Sequence, residues 1–170
     1  KIDDLMDIFQ NNWSLSLKNK GIGAISKENA MRLNAVGPLA RAAGVPVDVR
    51  NETEDLLPWK QVGFQMILEN GGDVHARNLV RLKELYVSMK IIENVLNGLP
   101  EGDFFVETKA LPEGEAVVRL EAPRGELFHY GKGNKTQILE RLKIKAPTFS
   151  NIPAFVEMFK GNEYASAPAI

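Results

Sequence analysis

The chain has 170 residues, 44% of them hydrophobic and 25% charged, the balance of one ordinary globular domain with a core of its own. A formal net charge of −1 supplies no basic field for nucleic acid, and no apolar run approaches the ~20 residues of a membrane span. With no cysteine, these residues hold no disulfide, thiol nucleophile or thiolate metal site, and the two histidines, His75 and His129, do not make a self-contained zinc site.

The N-terminal segment, Lys1-Ile-Asp-Asp-Leu5, has no apolar h-region of a signal peptide. Ile2, Leu5, Met6 and Phe9 fall at helical spacing and predict a short amphipathic helix over 2–10, with Asn11, Asn12 and Ser14 as loop. Gly21-Ile-Gly23 is a tight connection that lacks the rest of any phosphate-binding fingerprint. Ser26 is placed to cap a helix running through Ala30, Met31 and Leu33, with Glu28 favourably in its first turn. Gly37-Pro-Leu-Ala-Arg-Ala-Ala-Gly44 predicts a second short helix, Pro38 in its first turn and Gly44 at its end. Val45 to Arg50 reads as irregular, with Arg41, Asp48 and Arg50 pinning a loop by local salt bridges.

Residues 51–62 read as a polar linker anchored by Trp59, and 63–70 as a strand or an irregular segment ended by Gly71-Gly72. Asp73 is placed to cap the longest helix, about 74–97, with Val74, Leu82, Leu85, Met89, Ile92 and Leu96 as its apolar stripe and Arg77, Arg81, Lys83 and Lys90 on other faces. His75, at the helix start, reads as structural. From Asp103 the period changes to two: Phe104 to Lys109, Glu115 to Glu121, Leu127 to Tyr130 and Ile138 to Lys145 predict strands. Gly131-Lys-Gly-Asn-Lys135 reads as a hairpin turn, and Leu142 and Ile144 as inward-facing. Ser150 is placed to cap a last helix, Asn151 to Lys160, with Pro153 in its first turn. The sum is an α+β fold, helices including a long one (about 74–97) followed by a small antiparallel sheet (about 104–145) and a C-terminal helix, in a single domain over 1–170.

One stretch concentrates chemistry. Glu121-Ala-Pro-Arg-Gly-Glu126 carries two carboxylates, a guanidinium, a φ-fixing proline and a glycine in six residues between predicted strands. A guanidinium on so constrained a backbone suits a fixed anion or a reactive centre, with Glu121 and Glu126 as proton acceptors or ion-pair partners and His129 able to titrate near neutrality. Composition alone favours the plainer alternative, a Pro-Gly strand break facing water with Arg124 paired to a glutamate. No second cluster of catalytic residue types is visible.

Three segments nevertheless resemble one family in order along the chain. Gly37 to Gly44 with Asp48-Val-Arg50 is similar to the G-P-x-A-R-A-S-G…D-x-R segment of the large subunits of membrane-bound, energy-converting nickel–iron hydrogenases; Glu121 to Tyr130 is similar to their E-A-P-R-G-E-L-x-H-Y; Lys143 to Asn151, with Gly161 and Ala165 to Ile170, is similar to the stretch before their last cysteine pair. Gly72-Asp73 and Ala76-Arg77 to Glu84 also fit. The homologous quinone-pocket subunit of respiratory complex I has the same fold, but there the loop usually reads E-A-P-K-G-E, with lysine where this chain has Arg124, and the residue matching His129 is generally different.

The resemblance implies that Arg124 hangs over a nickel–iron centre, that Pro123 helps form the pocket wall, and that Glu121, Glu126 and His129 lie around it or relay protons. It also implies an iron–sulfur small subunit and membrane subunits as partners, and a cytoplasmic, peripheral position on a membrane-bound complex, with neither nucleic acid nor membrane insertion. The family binds its metals through two C-x-x-C pairs, which this chain lacks. An interior fragment, inactive alone and with no metal or cofactor ligand of its own, is therefore expected. The alternatives are a complex I-like quinone oxidoreductase subunit and a non-catalytic interaction module.

Overall fold

A computed structural model of the protein describes residues 1–53, 58–107 and 109–170. Among these, seven α-helices surround a core close to one end of a three-stranded antiparallel sheet, an α+β arrangement as expected. The first helix, α1 (Ile2–Asn11), passes almost directly into α2 (Trp13–Asn19). The expected loop over 11–14 is thus helical apart from Asn12. That residue ends one helix and starts the next: its N–H donates to the Ile8 carbonyl and its side chain accepts from Leu15 N at 3.1 Å.

Helix α3 (Lys27–Arg32) starts at its predicted Ser26 cap. Every residue of α4 (Pro38–Ala42) is buried, and Gly44 follows at φ +75°. Val45 to Arg50 is less irregular than expected: Asp48 caps a single helical turn, α5 (Val49–Glu52), by accepting from Arg50 N at 3.0 Å. The 51–62 linker lies partly outside the described residues. Residues 63–70 form no strand; the end of this segment straps α4, with Glu69 N donating to Arg41 O and Gly72 N to Ala42 O.

Helix α6 (Val74–Asn97) has its predicted length and its Asp73 cap, which accepts from Ala76 N at 2.8 Å. Of the predicted stripe only Val74, at its start, is buried. Val74, Ala76, Arg77 and Val80 are buried, whereas Leu85, Met89, Ile92 and Leu96 are exposed. The physical reason is length. Twenty-four residues span about 36 Å; the start of the helix packs on α4 through Ala42, Ala76 and Val80, Glu84 still reaches Arg41, and the apolar residues beyond it have no such partner among the described residues. Arg77, expected on an outer face, points inward because the carbonyls of Gly23 and Gly72 converge there, each accepting from Nη1 at 3.0 Å. His75 stacks on Phe9, ring centroids 4.8 Å apart, in keeping with a structural role.

The sheet runs β1 (Glu113–Ala122), β2 (Gly125–Asn134), β3 (Arg141–Lys145), in that order. No strand forms over the described part of 104–109; Thr108 lies outside the described residues. The predicted turn at 131–135 is mostly strand, because β2 pairs with β1 as far as Asn134. The glycine at 133 serves close packing instead of a turn: a Cβ there would stand 2.3 Å from the Pro112 carbonyl oxygen. The chain reverses at Lys135, the first residue beyond β2, with φ +65°. Leu142 and Ile144 do not face a core; both are exposed, in an edge strand with all five residues exposed.

The last helix, α7 (Pro147–Phe159), starts four residues before the expected Asn151. Pro147 occupies the first turn, where its missing N–H costs nothing. Ser150 is therefore inside the helix, its Oγ buried without a hydrogen-bond partner among the described residues, and Pro153 lies beyond the first turn. Ala154 and Met158 of α7 meet Ile25, Ala30, Leu39 and Ala40 in the main core, and a short 3₁₀ turn, Tyr164–Ser166, follows.

Candidate functional site

The Glu121–Glu126 stretch is a tight hairpin. Ala122 pairs with Gly125, so Pro123 and Arg124 are the whole turn between β1 and β2. The turn is seated on the start of α4 by two glycines in backbone contact. A Cβ on Gly37 would lie 2.5 Å from the Arg124 carbonyl oxygen and from Gly125 Cα; one on Gly125 would lie 2.7 Å from Val36 Cγ2. Both glycines have positive φ, +69° and +128°, so any side chain is excluded twice over, by backbone conformation and by space. The Asn151 amide closes the third side: Nδ2 donates to the Arg124 carbonyl at 3.2 Å.

The turn separates two clefts. On one side a cavity of about 320 Å³ is lined by three guanidinium-bearing residues, Arg77, Arg81 and Arg124, and by apolar groups from α4 and α7 including Leu39, Ile152 and Phe155. On the other, a cavity of about 390 Å³ is lined by Arg41, Arg50, Arg81, Glu84, Glu121 and Pro123. Arg81 borders both. Burial holds its guanidinium below the ordinary arginine range, Glu84 opposing, with Arg124 and Arg41 adding repulsion. Arg77 is pushed down to about 10, chiefly by burial and then by Arg81, with Asp73 opposing. The first cleft is therefore a cationic recess with an apolar wall and no aspartate or glutamate among its described lining residues.

Behind the second cleft lies an ionic cluster. Arg41, only 1% exposed, pairs with Asp48 (2.9 Å), Glu84 (2.9 Å) and Glu121 (2.8 Å), and Arg50 pairs with Asp48 (2.7 Å) and Glu84 (3.3 Å). The local Arg41, Asp48 and Arg50 bridges are as read from the sequence; Glu84 and Glu121 enter from α6 and β1. Glu121 is also bound by Val49 N at 3.3 Å. Burial raises its carboxyl above the ordinary range, with the Arg41 hydrogen bond working against that and Asp48 adding to it.

The structure thus brings together Pro123, Arg124 and, one residue before the turn, Glu121, but with different neighbours. Arg124 and Pro123 are exposed at the tip. Glu121 is committed to Arg41. Glu126 accepts from Arg119 Nε, and Arg119 also reaches Glu52 at 2.9 Å, away from the Arg124 recess. His129 is not brought to the tip. It sits in the middle strand between Val118 and Ile144, four residues beyond Gly125 and so about 13 Å along the strand.

Arg77, Arg81 and Glu84 were missed as site residues. Their spacing along α6 already put Arg77 with Arg81 and Arg81 with Glu84 on one helix face. Asn151 carries no local signal; only the packing of α7 reveals what it touches.

The donor set does not fit a metal centre by itself. The chain has no cysteine, and among the described residues no group of three or more histidine, aspartate or glutamate side chains is placed to hold an ion. The described helices include none long and apolar enough to cross a membrane.

An arginine-tipped hairpin seated on a buried helix, with the long helix beside it, spans the region matched by a known family. The model for the respiratory-chain NADH dehydrogenase 49 kDa subunit matches residues 1–111 and 103–170, and the chain belongs to that family. Among its relatives, the carbon monoxide-induced hydrogenase of Rhodospirillum rubrum is 36% identical over 99% of this chain and 46% of its own length. The alpha subunit of the membrane-bound hydrogenase of Pyrococcus furiosus is 31% identical over 96% of the chain and 42% of its own. An NADH-quinone oxidoreductase subunit of Desulfotalea psychrophila is 35% identical over 96% of the chain and 45% of its own. The chain spans under half the length of these relatives.

Proposed function

We propose that this chain is an interior portion of the large subunit of an energy-converting nickel–iron hydrogenase, an oxidoreductase that interconverts hydrogen with protons and electrons. The observation that carries the reading is Arg124 itself: an arginine at the tip of a clamped turn, bordering a cationic, apolar-walled recess. The hydrogenase relatives in Rhodospirillum rubrum and Pyrococcus furiosus support it. Nickel and iron ligands would come from cysteines outside these residues. What the chain contributes is a positive charge carried on an anchored turn beside the recess, a Pro123 wall that limits water, and an ionic cluster that holds the wall still. Glu121 serves that cluster as the buried partner of Arg41.

An iron–sulfur small subunit would take the electrons, and membrane subunits would carry the assembly, with this chain peripheral to the bilayer. A second reading, a quinone-reducing subunit of the complex I type, is favoured by the family match and by the NADH-quinone oxidoreductase relatives.

The two are separated by purifying the full-length protein within its complex and measuring bound nickel, hydrogen-dependent reduction of a viologen dye, and quinone reduction. Stoichiometric nickel with hydrogen-dependent turnover is expected. A nickel-free complex that reduces quinone would overturn the hydrogenase reading and establish the second.

A further inference from the structure

We infer that Asn151 is the positioning residue that aims Arg124, acting through the main chain of the turn. The inference rests on the reading of Arg124 given above. Among the described residues the Arg124 guanidinium makes no hydrogen bond or ion pair, so what the fold fixes is the Cα–Cβ bond from which the side chain starts, through its backbone. That backbone is held from two sides. Gly37 and Gly125 fix the approach of the turn to α4, and Asn151 fixes its remaining carbonyl.

The Asn151 amide is used almost completely. Oδ1 accepts from Val36 N at 2.9 Å, and Nδ2 donates to Val36 O at 3.2 Å, as a neighbouring strand's peptide would. The same nitrogen donates to Arg124 O at 3.2 Å. One side chain on α7 thereby joins the residue before Gly37 to the residue before Gly125, the two glycines whose backbones touch. In a turn of only Pro123 and Arg124, with φ of Pro123 fixed by its ring, holding the Arg124 carbonyl fixes the last free peptide plane. Aspartate at 151 would keep the acceptor for Val36 N but set a carboxylate oxygen against two carbonyl oxygens; alanine would remove all three bonds.

The test uses the full-length protein in its complex, with Asn151→Asp, Asn151→Ala, Arg124→Lys and the Asn151→Ala/Arg124→Lys pair. Hydrogen exchange over residues 122–126 reads the clamp directly, and hydrogen-dependent viologen reduction reads its consequence. Faster exchange confined to the turn is expected in both Asn151 variants, with kcat down on the order of tenfold or more and KM for hydrogen unchanged, because small misplacements of a charged group act on the reacting state. The double variant should be no slower than Arg124→Lys alone. Unchanged exchange over 122–126, multiplying losses in the double variant, or failure of both Asn151 variants to assemble would each overturn the inference. If exchange responds but Arg124→Lys leaves turnover intact, the clamp is real and the role given to Arg124 is what fails.

Discussion

The guanidinium of Arg41, on the buried helix α4, meets the carboxylate of Glu121, one residue before the turn, at 2.8 Å across 80 residues of sequence. Both side chains are almost fully removed from water, 1% and 4% exposed. A buried pair of this kind is held by mutual dependence, since either charge alone pays its full desolvation cost. Arg41→Ala leaves Glu121 with only the Val49 N–H, while Asp48 keeps Arg50. The expected loss is about 3–5 kcal/mol. Thermal unfolding of the full-length variant would show it, and removing Glu121 as well should restore part of it. A melting temperature unchanged by Arg41→Ala would contradict the burial described.

The glycine contact makes a sharper steric prediction. Gly37→Ala puts a methyl 2.5 Å from the Arg124 carbonyl oxygen, at φ +69°, and backbone atoms have no flexible end to yield. The turn must lift or α4 must shift. A destabilisation of about 2–4 kcal/mol is expected, the range of strain combined with overpacking. Gly131→Ala, with nothing near its added Cβ, is the control and should cost far less.

Glu121 predicts a pH dependence. Its carboxyl is raised above the ordinary range, because burial, reinforced by Asp48, outweighs the hydrogen bonds from Arg41 and Val49. A raised carboxyl binds its proton more tightly folded than unfolded. Its stabilising contribution is therefore complete below the ordinary glutamate value of about 4.3 and declines as pH rises through the raised value. Glu121→Gln abolishes that decline, so the melting temperature of the variant should vary less with pH just above the ordinary range. Parallel profiles for the two proteins would show that Glu121 does not titrate abnormally.

Arg124 should behave in the opposite manner to Arg41. It is exposed and, among the described residues, without an ion-pair partner, so Arg124→Lys should change stability by no more than about 0.5 kcal/mol. On the proposed hydrogenase reading, turnover of the assembled complex should nevertheless fall at least about tenfold, because lysine replaces a planar, five-donor fork by a compact point charge. Metal content should remain near that of the parent. Full activity in this variant would remove the part assigned to Arg124.

Much of the helical architecture was written locally. Ser26 and Asp73 announced their helices because a cap is a contact three residues long, and the start of the 74–97 helix followed from Asp73. The weaker readings failed where a local signal had two meanings. Glycine at 131 and 133 suits a turn, yet here it lies in β2, against Pro112 at position 133. Ser150 suits a cap, yet Pro147 begins the helix first. Leu85, Met89 and Ile92 keep a helical apolar spacing that nothing covers among the described residues.

By itself the sequence determined the α+β class, the long helix with its cap, and a constrained Arg124 beside a proline and a glycine, since each depends on residues a few positions apart. It did not determine which charges were structural. Glu121 and Glu126 look alike as neighbours of Arg124, and only the tertiary structure assigns one to Arg41 and the other to Arg119. Asn151 touches Val36 across 115 residues and Arg124 across 27. Such contacts are set by how α7, α4 and the hairpin pack, because a buried donor takes whichever acceptor the fold brings to it, and periodicity along the chain carries no record of that choice.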